Sequence, residues 1–416
     1  MPRKIGLRTR ASVLFAGLAA CGLAVAGCSS SAGGDSGGHS GTVTITEEDA
    51  YTYPASTVMD QLVSQFEKQN PGYKVHRTVV PYEDDLTKML HQASSNSLPS
   101  VLMVDEPWLP EMAAGGVLVP LSKFGFSGAA LNSGARAVGK YQGVLYGAST
   151  GNNSLGLVYN KTMFARAHLQ PPTTWAEMLA DAKALTGHGV YGFGMGAAEG
   201  APADWQFEPF FWTAGGSLTH VNNAGGVAAL TYLTQLEQSG GMPKSVVNWT
   251  QSEAAAEFAN GKLAMVDIGP WEIPSFTKVA WGAETMPVPH AGMQAVSPVG
   301  GPPWAVAKGS PDQEKAAWKF VSWLLKPANV TTFAVANDDV PSLQSLDAAL
   351  VQTHPAIALF AKSTETGRSR TTDVGVHYDA IAQALTNAIQ AALSGTQSPQ
   401  QALDAAQKQV QAALKS

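Results

Sequence analysis

A chain of 416 residues with 45% apolar and only 14% charged side chains is built to bury a large core, and its length favours two domains or two lobes. Its 26 basic and 32 acidic residues give a net charge of −6, which loss of a 27-residue leader with four cations would take to −10. That balance, with no basic cluster after the leader, argues against nucleic acid as a partner. Two cysteines, both within the first 28 residues, exclude a disulfide framework, and nine scattered histidines show no metal-ligand spacing.

Met1 to Arg10 carries four positive charges and no acid, and Ala11 to Ala26 is uncharged and apolar. That run is too short for a comfortable membrane span. Charged start, short apolar core and small residues at the exit predict a secretory signal peptide over residues 1–27. Val25-Ala26-Gly27-Cys28 resembles the bacterial lipobox, which implies that Cys28 receives a diacylglycerol and becomes the new N-terminus. One acyl chain holds a protein to a membrane only marginally, whereas two make attachment lasting. Residues 28–41, rich in Gly, Ser and Ala, predict a flexible tether with an end-to-end distance of about 20 Å. The folded part is therefore expected outside the cell, on the outer face of the cytoplasmic membrane.

Thr42 to Thr46 alternates with period two and reads as a strand. Ser56 to Asn70 places Met59, Leu62, Val63 and Phe66 on one helical face and stops at Pro71-Gly72. Tyr73 to Val80 reads as a second strand, Asp84 to Ser94 as a helix, and Ser100 to Asp105 as a short buried strand ending in acid. This order is that of a doubly wound α/β layer. Thr174 with Glu177, Ser310 with Gln313, and Ser398 with Gln401 are capping boxes that start later helices, and Pro327 marks a stop. In open sheets ligands bind beyond the carboxyl ends of the strands, which is where Asp105 falls. All ten tryptophans lie between Trp108 and Trp323. Trp108, Trp205, Trp212, Trp271 and Trp304 sit beside Gly, Pro or acids, which suggests a polar, ring-shaped ligand.

Several stretches, in order, resemble family 1 extracellular solute-binding proteins, the carbohydrate receptors of ABC importers that include maltose- and trehalose/maltose-binding proteins. They are Tyr141 to Gly147, Leu157 to Phe164, Pro171 to Leu179, Glu257 to Met265, Gly269 to Trp271, Val299 to Lys308 and Ser394 to Leu403. Each is weak alone; the ordered set is strong. The resemblance implies two doubly wound α/β lobes of the type II periplasmic-binding-protein kind, joined by hinge strands, with the ligand between them. Carried onto this chain, residues 42–150 plus 300–345 form the first lobe and residues 151–299 plus 346–416 the second.

A neutral sugar asks for ionised carboxylates to accept from its hydroxyls, amides to donate, and aromatic faces to cover its ring. The resemblance assigns these roles by position. Asp105 would accept from a hydroxyl pair, with Glu106 secondary, since the family more often has an apolar residue there. Trp108 belongs to the same loop, although a core role fits it equally. Asn153 stands where these receptors place a polar side chain on the ligand. Glu208-Pro209-Phe210 resembles a Glu-Pro-Tyr segment that supplies a carboxylate and a stacking ring; Phe210 replaces the tyrosine, and Trp212 follows nearby. Trp271, after Gly269-Pro270, matches the family's stacking tryptophan. Gly300 and Gly301 at the second crossing let backbone approach a ligand. Arg370 and Tyr378 fall in a segment where related receptors carry an arginine at a different spacing.

The expected partners are a di- or oligosaccharide, a membrane permease of the ABC type, and the bilayer through Cys28. No cofactor, metal or enzymatic step is implied, and nothing in the chain signals oligomerisation, so a monomer is expected. A receptor for glycerophosphodiesters or another polyol remains an alternative, though phosphate would favour basic side chains or helix N-termini over this acidic, aromatic set. A cell-surface glycosidase would also need paired carboxylates in a cleft, but no motif for one is present.

Overall fold

The computed structural model describes residues 41–199 and 203–415. The leader, Cys28 and the tether up to residue 40 lie outside them. Two sheets organise the rest, and each grows from a local pattern that the sequence carries.

β1 (Val43–Asp49) and β2 (Tyr73–Val79) run parallel, in register from Val43 opposite Tyr73 to Asp49 opposite Val79. β3 (Val101–Met103) lies parallel on the other side of β1. The helix Ala55–Gln69 between β1 and β2 buries Met59, Leu62 and Phe66, three positions on one face of a 3.6-residue period. β1 continues three residues beyond the predicted stretch, through Glu47, Glu48 and Asp49, all buried. Buried charge needs partners. Arg77 bonds Asp49 at 2.6 and 2.8 Å and Lys88 bonds Glu48 at 2.6 Å.

A small hairpin, β4 (Lys140–Tyr141) and β5 (Val144–Leu145), precedes β6 (Gly147–Ala148), the far edge of the first sheet. β7 (Gly151–Asn152) then leads out of it to β8 (Gly156–Asn160). With β9 (Tyr191–Gly194), β10 (Leu263–Ile268) and β11 (Trp281–Glu284), β8 makes the second sheet, in the order β11-β8-β10-β9. β12 (Pro298–Val299) brings the chain back to β13 (Trp304–Val306), which inserts antiparallel between β3 and β6 and completes the order β2-β1-β3-β13-β6. β14 (Val340–Pro341) pairs with β7, and β15 (Arg368–Ser369) pairs with β12. The peptide groups of Asn153 and Gly300 bond each other at 3.2 and 2.9 Å. The chain thus passes between the two sheets several times through short paired segments.

Each sheet has its own core. Ile45, Phe66, Trp304, Phe320 and Phe333 pack on the first, and Phe193, Phe207, Phe211, Met265 and Ile389 on the second. Each large apolar side chain so buried contributes about 1.5–3 kcal/mol. Trp304 is fully buried on β13, so its place beside Pro303 does not mark it for a ligand. All three predicted capping boxes form, and a fourth joins Thr250 to Glu253. Pro327 does more than stop a helix: Pro311–Leu324 ends before it, and Pro327 opens the helix Pro327–Asn337, its missing N–H falling where no helical partner is needed.

Candidate functional site

β3 ends beside a loop that holds Asp105 and Glu106, and the segment 368–371 crosses directly over it. Arg370 is the connection. Its Nη2 donates to Asp105 Oδ1 at 2.9 Å and its Nε to Glu106 Oε2 at 3.0 Å. The guanidinium lies over the Trp205 ring, 4.4 Å from its centre, with the Tyr378 ring at 5.8 Å. Arg370, Asp105 and Glu106 are all buried.

The two neighbouring acids do different work. Glu106 is held wholly by the crossing segment: Oε1 accepts from Ser369 Oγ (2.6 Å), Thr371 N (3.1 Å) and Thr371 Oγ1 (2.9 Å), and Oε2 also accepts from Arg370 N (3.2 Å). Asp105 Oδ1 accepts from the backbone N–H of Glu106 at 2.8 Å and Oδ2 from the Tyr82 hydroxyl at 2.6 Å. Tyr82 in turn packs on Trp108, with ring centres 5.2 Å apart. Trp108 is buried among Met89, Leu102, Leu109 and Ala305.

On the other side, the helix Ala203–Thr213 is buried along its whole length. Asp204, Glu208 and Trp212 fall at i, i+4 and i+8, one face of a helix. The Tyr378 hydroxyl is 2.7 Å from both Asp204 Oδ2 and Glu208 Oε1. One hydroxyl has one proton, so two such short contacts require a second proton on a carboxyl group. Glu208 is the group suited to carry it: burial and the neighbouring Asp204 push it well above the usual carboxylate range. Burial also raises Asp204, against the pull of Tyr378 and Arg370. Glu208 Oε2 and Trp212 Nε1 are buried without a hydrogen-bond partner among the described residues. Arg368 lies 5.2 Å from the centre of the Trp212 ring.

Asn153, at the β7–β8 crossing, bonds Gly300 through its backbone, and its side chain lies near Asp339. Burial pushes Asp339 up to about 8. Gly301 has φ +112°, and a Cβ there would run into the Gly151 carbonyl and lie 2.8 Å from Asn152 Cα. The close approach that this glycine permits is therefore to the neighbouring crossing strand. Trp271 follows β10 in the short 3-10 turn Pro270–Ser275 and is half-buried. Its ring folds back over Gly269, where a Cβ would lie 2.6 Å from Trp271 Cε3.

The structure thus brings Asp105, Glu106, Arg370, Tyr378 and Glu208 into one buried network, with Trp108 behind Tyr82 and Trp212 on the Asp204 and Glu208 face. Asn153 and Gly301 sit at the crossings, and Trp271 in the turn after β10. Sequence reasoning missed Tyr82, Asp204 and, as a packing surface for arginine, Trp205. The i, i+4 spacing of Asp204 and Glu208 was the available signal. Among the described residues no cluster of His, Cys, Asp and Glu could hold a metal ion, and no helix is long and apolar enough to cross a membrane.

A family model described as bacterial extracellular solute-binding protein matches residues 61–359. YcjN of Escherichia coli (strain K12), which bears the description ABC transporter periplasmic-binding protein, is 28% identical over 244 residues, 53% of this chain and 54% of its own. The chain spans about half the length of the curated relatives it matches. Among solved structures, the cyclic alpha-maltosyl-1,6-maltose binding protein from Arthrobacter globiformis is 26% identical, with a TM-score of 0.75 over 90% of this chain and 100% of that one. The sugar-binding protein MalE from Xanthomonas citri is 25% identical, with a TM-score of 0.75 over 90% of this chain and 98% of that one. These relatives are binding proteins, and the fold of two α/β layers joined by crossing strands is shared with them.

Proposed function

The chain belongs to the bacterial extracellular solute-binding protein family, and on that premise we propose that it is the substrate-binding lipoprotein of an ABC importer, capturing a di- or oligosaccharide between two lobes. The observation that carries this reading is the network in which Asp105 beside the first sheet and Glu208 and Tyr378 beside the second meet around Arg370. Acids and aromatic faces converge there from both sides, the combination that a polyhydroxylated ring requires. The sugar-binding proteins of similar fold support the choice of cargo.

In this reading the lobes are residues 42–150 plus 300–345 and residues 151–299 plus 346–416, hinged at the crossings around Asn153, Gly301 and β14. A sugar first engages one lobe through Asp105, and closure adds the Glu208 side and the Trp271 face. Interactions that the sugar makes only in the closed form are what shift the balance between open and closed states. A permease then reads the closed form. Cys28, lipidated after removal of residues 1–27, keeps the monomeric receptor at the outer face of the membrane; replacing it with Ser is expected to release the protein into the medium. Buried acids around the network disfavour a phosphate-bearing guest.

A thermal-shift and tryptophan-fluorescence screen over mono- and oligosaccharides tests the proposal, because a ligand that binds only the folded state raises the melting temperature by mass action. Trp271→Ala and Asp105→Ala are each expected to weaken a hit about tenfold or more, roughly one charged hydrogen bond or one stacked ring. A screen in which no sugar shifts the transition removes the carbohydrate reading. Unchanged affinity in both variants removes the site assignment.

A further inference from the structure

Six carboxyl groups in this network or next to it are buried: Asp105, Glu106, Asp204 and Glu208 within it, Asp85 beside Asp105, and Glu48 beside Asp85. Two cations answer them. Lys88 bonds Glu48, and Arg370 is spent on Asp105 and Glu106. Asp85, Asp204 and Glu208 have no cation of their own among the described residues. Both oxygens of Asp85 and Glu208 Oε2 are buried and without a hydrogen-bond partner. Asp85 lies at 0% exposure in the first turn of the helix Tyr82–Ser94, facing Glu48, Lys88, Asp49 and Asp105. Glu208, also at 0%, faces Asp204, Arg370, Tyr378 and Glu106. Trp212 Nε1, on the Glu208 face of its helix, is a fourth buried polar atom without a partner.

We infer that the saccharide this site is built for carries a protonated amine, an amino sugar or an amine-linked pseudo-oligosaccharide, received by the buried carboxyl groups of Glu208 and Asp204 on one side of Arg370 or of Asp85 on the other, none of which is bonded to a cation among the described residues. The inference rests on the carbohydrate reading and narrows its ligand class. Two chemical considerations support it. Neutral hydroxyl groups are served by carboxylates that keep a countercharge, as Asp105 does with Arg370. Carboxyl groups buried without one stay protonated and lose the stronger, charge-assisted bond. An ammonium group restores it: the amine donates to the carboxylate, and the carboxyl proton leaves to solvent. Burial with neighbouring acids holds Glu208 in the protonated form beforehand and raises Asp85 to about 7, so binding of a protonated amine releases a proton.

The experiment compares matched pairs on the wild-type protein at pH 7 by calorimetry: maltotetraose against acarbose, and N-acetylchitotetraose against its fully deacetylated counterpart. In at least one pair the amine member is expected to bind about tenfold or more tightly than its neutral partner, as one added charged hydrogen bond predicts. Proton release, measured in two buffers of different ionisation enthalpy, should accompany an amine that is protonated in solution and not the neutral sugar, whereas an amine neutral at that pH takes up the carboxyl proton itself. Glu208→Gln or Asp85→Asn should erase the advantage of the amine member over its neutral partner. Neutral members that bind as well as or better than the amines overturn this inference and leave the receptor reading standing. Binding by no member of either pair overturns both. The wild-type comparison needs no variant to fold.

Discussion

Glu106→Gln gives the most direct measure of how the crossing segment is held. Glu106 is 1% exposed, and its two oxygens accept five hydrogen bonds, all from Ser369, Arg370 and Thr371. A carboxylate can do this because both oxygens accept; an amide has one oxygen and one donor group. Whichever way the glutamine turns, its NH2 meets at least two N–H or O–H donors. If it faces the Oε2 side, Arg370 N and Nε lose their acceptor; if it faces the Oε1 side, Ser369 and Thr371 do. Hydrogen bonds to a charged group contribute about 1.5–3 kcal/mol each, and unpairing a buried ion pair costs about 3–5 kcal/mol. Because Asp105 still holds Arg370, a loss of about 3–5 kcal/mol is expected, at the scale of a whole ion pair and not beyond it. Urea unfolding followed by tryptophan fluorescence reads the loss, and hydrogen exchange at the Arg370 and Thr371 amides should quicken selectively. Adding Arg370→Met to Glu106→Gln is expected to cost less than the two singles summed, by about 1–3 kcal/mol, since they share one interaction. A loss below about 1 kcal/mol with unchanged exchange would refute the claim that this glutamate pins the segment.

Asp85 supplies a pH test. Burial, then the charge of Glu48, raises it to about 7 in the folded protein, against about 3.9 when unfolded. Between those values the folded state binds more protons than the unfolded one, so its contribution is fully present below about pH 4 and is lost as pH rises through 7, up to about 4 kcal/mol. Asp85→Asn should therefore be more stable than wild type at pH 8 and gain little near pH 4.5; equal stability at pH 8 would sink the account. Gly301→Ala places a Cβ against the Gly151 carbonyl at a φ of +112° that side chains rarely adopt. A cost of at least about 2 kcal/mol in urea unfolding is expected, and a change within about 0.5 kcal/mol would show that the crossing relaxes freely.

Local chemistry made much of this molecule legible in the sequence. The capping boxes at Thr174, Ser310 and Ser398 formed as written because each satisfies helix-end N–H groups from within four residues. The stripe of Met59, Leu62 and Phe66 set the first helix, since a 3.6-residue period leaves one face to bury. Strand order placed Asp105 just beyond the end of a buried strand, and β3 does end two residues before it. Other features were not local. β1 runs on through Glu47, Glu48 and Asp49, where Arg77 and Lys88 arrive from other elements to bond Asp49 and Glu48. Glu106 looks from its neighbours like an acid free for a ligand, yet donors lying 263 to 265 positions further along the chain occupy it completely. Gly301 carries no sequence mark of the strand that it lies against. Sequence by itself determines where helices begin, which faces turn inward and which side chains are able to grip. Which of those side chains are already taken, and which buried carboxyl groups stand without a cation, depends on charges brought close in space from distant parts of the chain, and only the tertiary structure decides that.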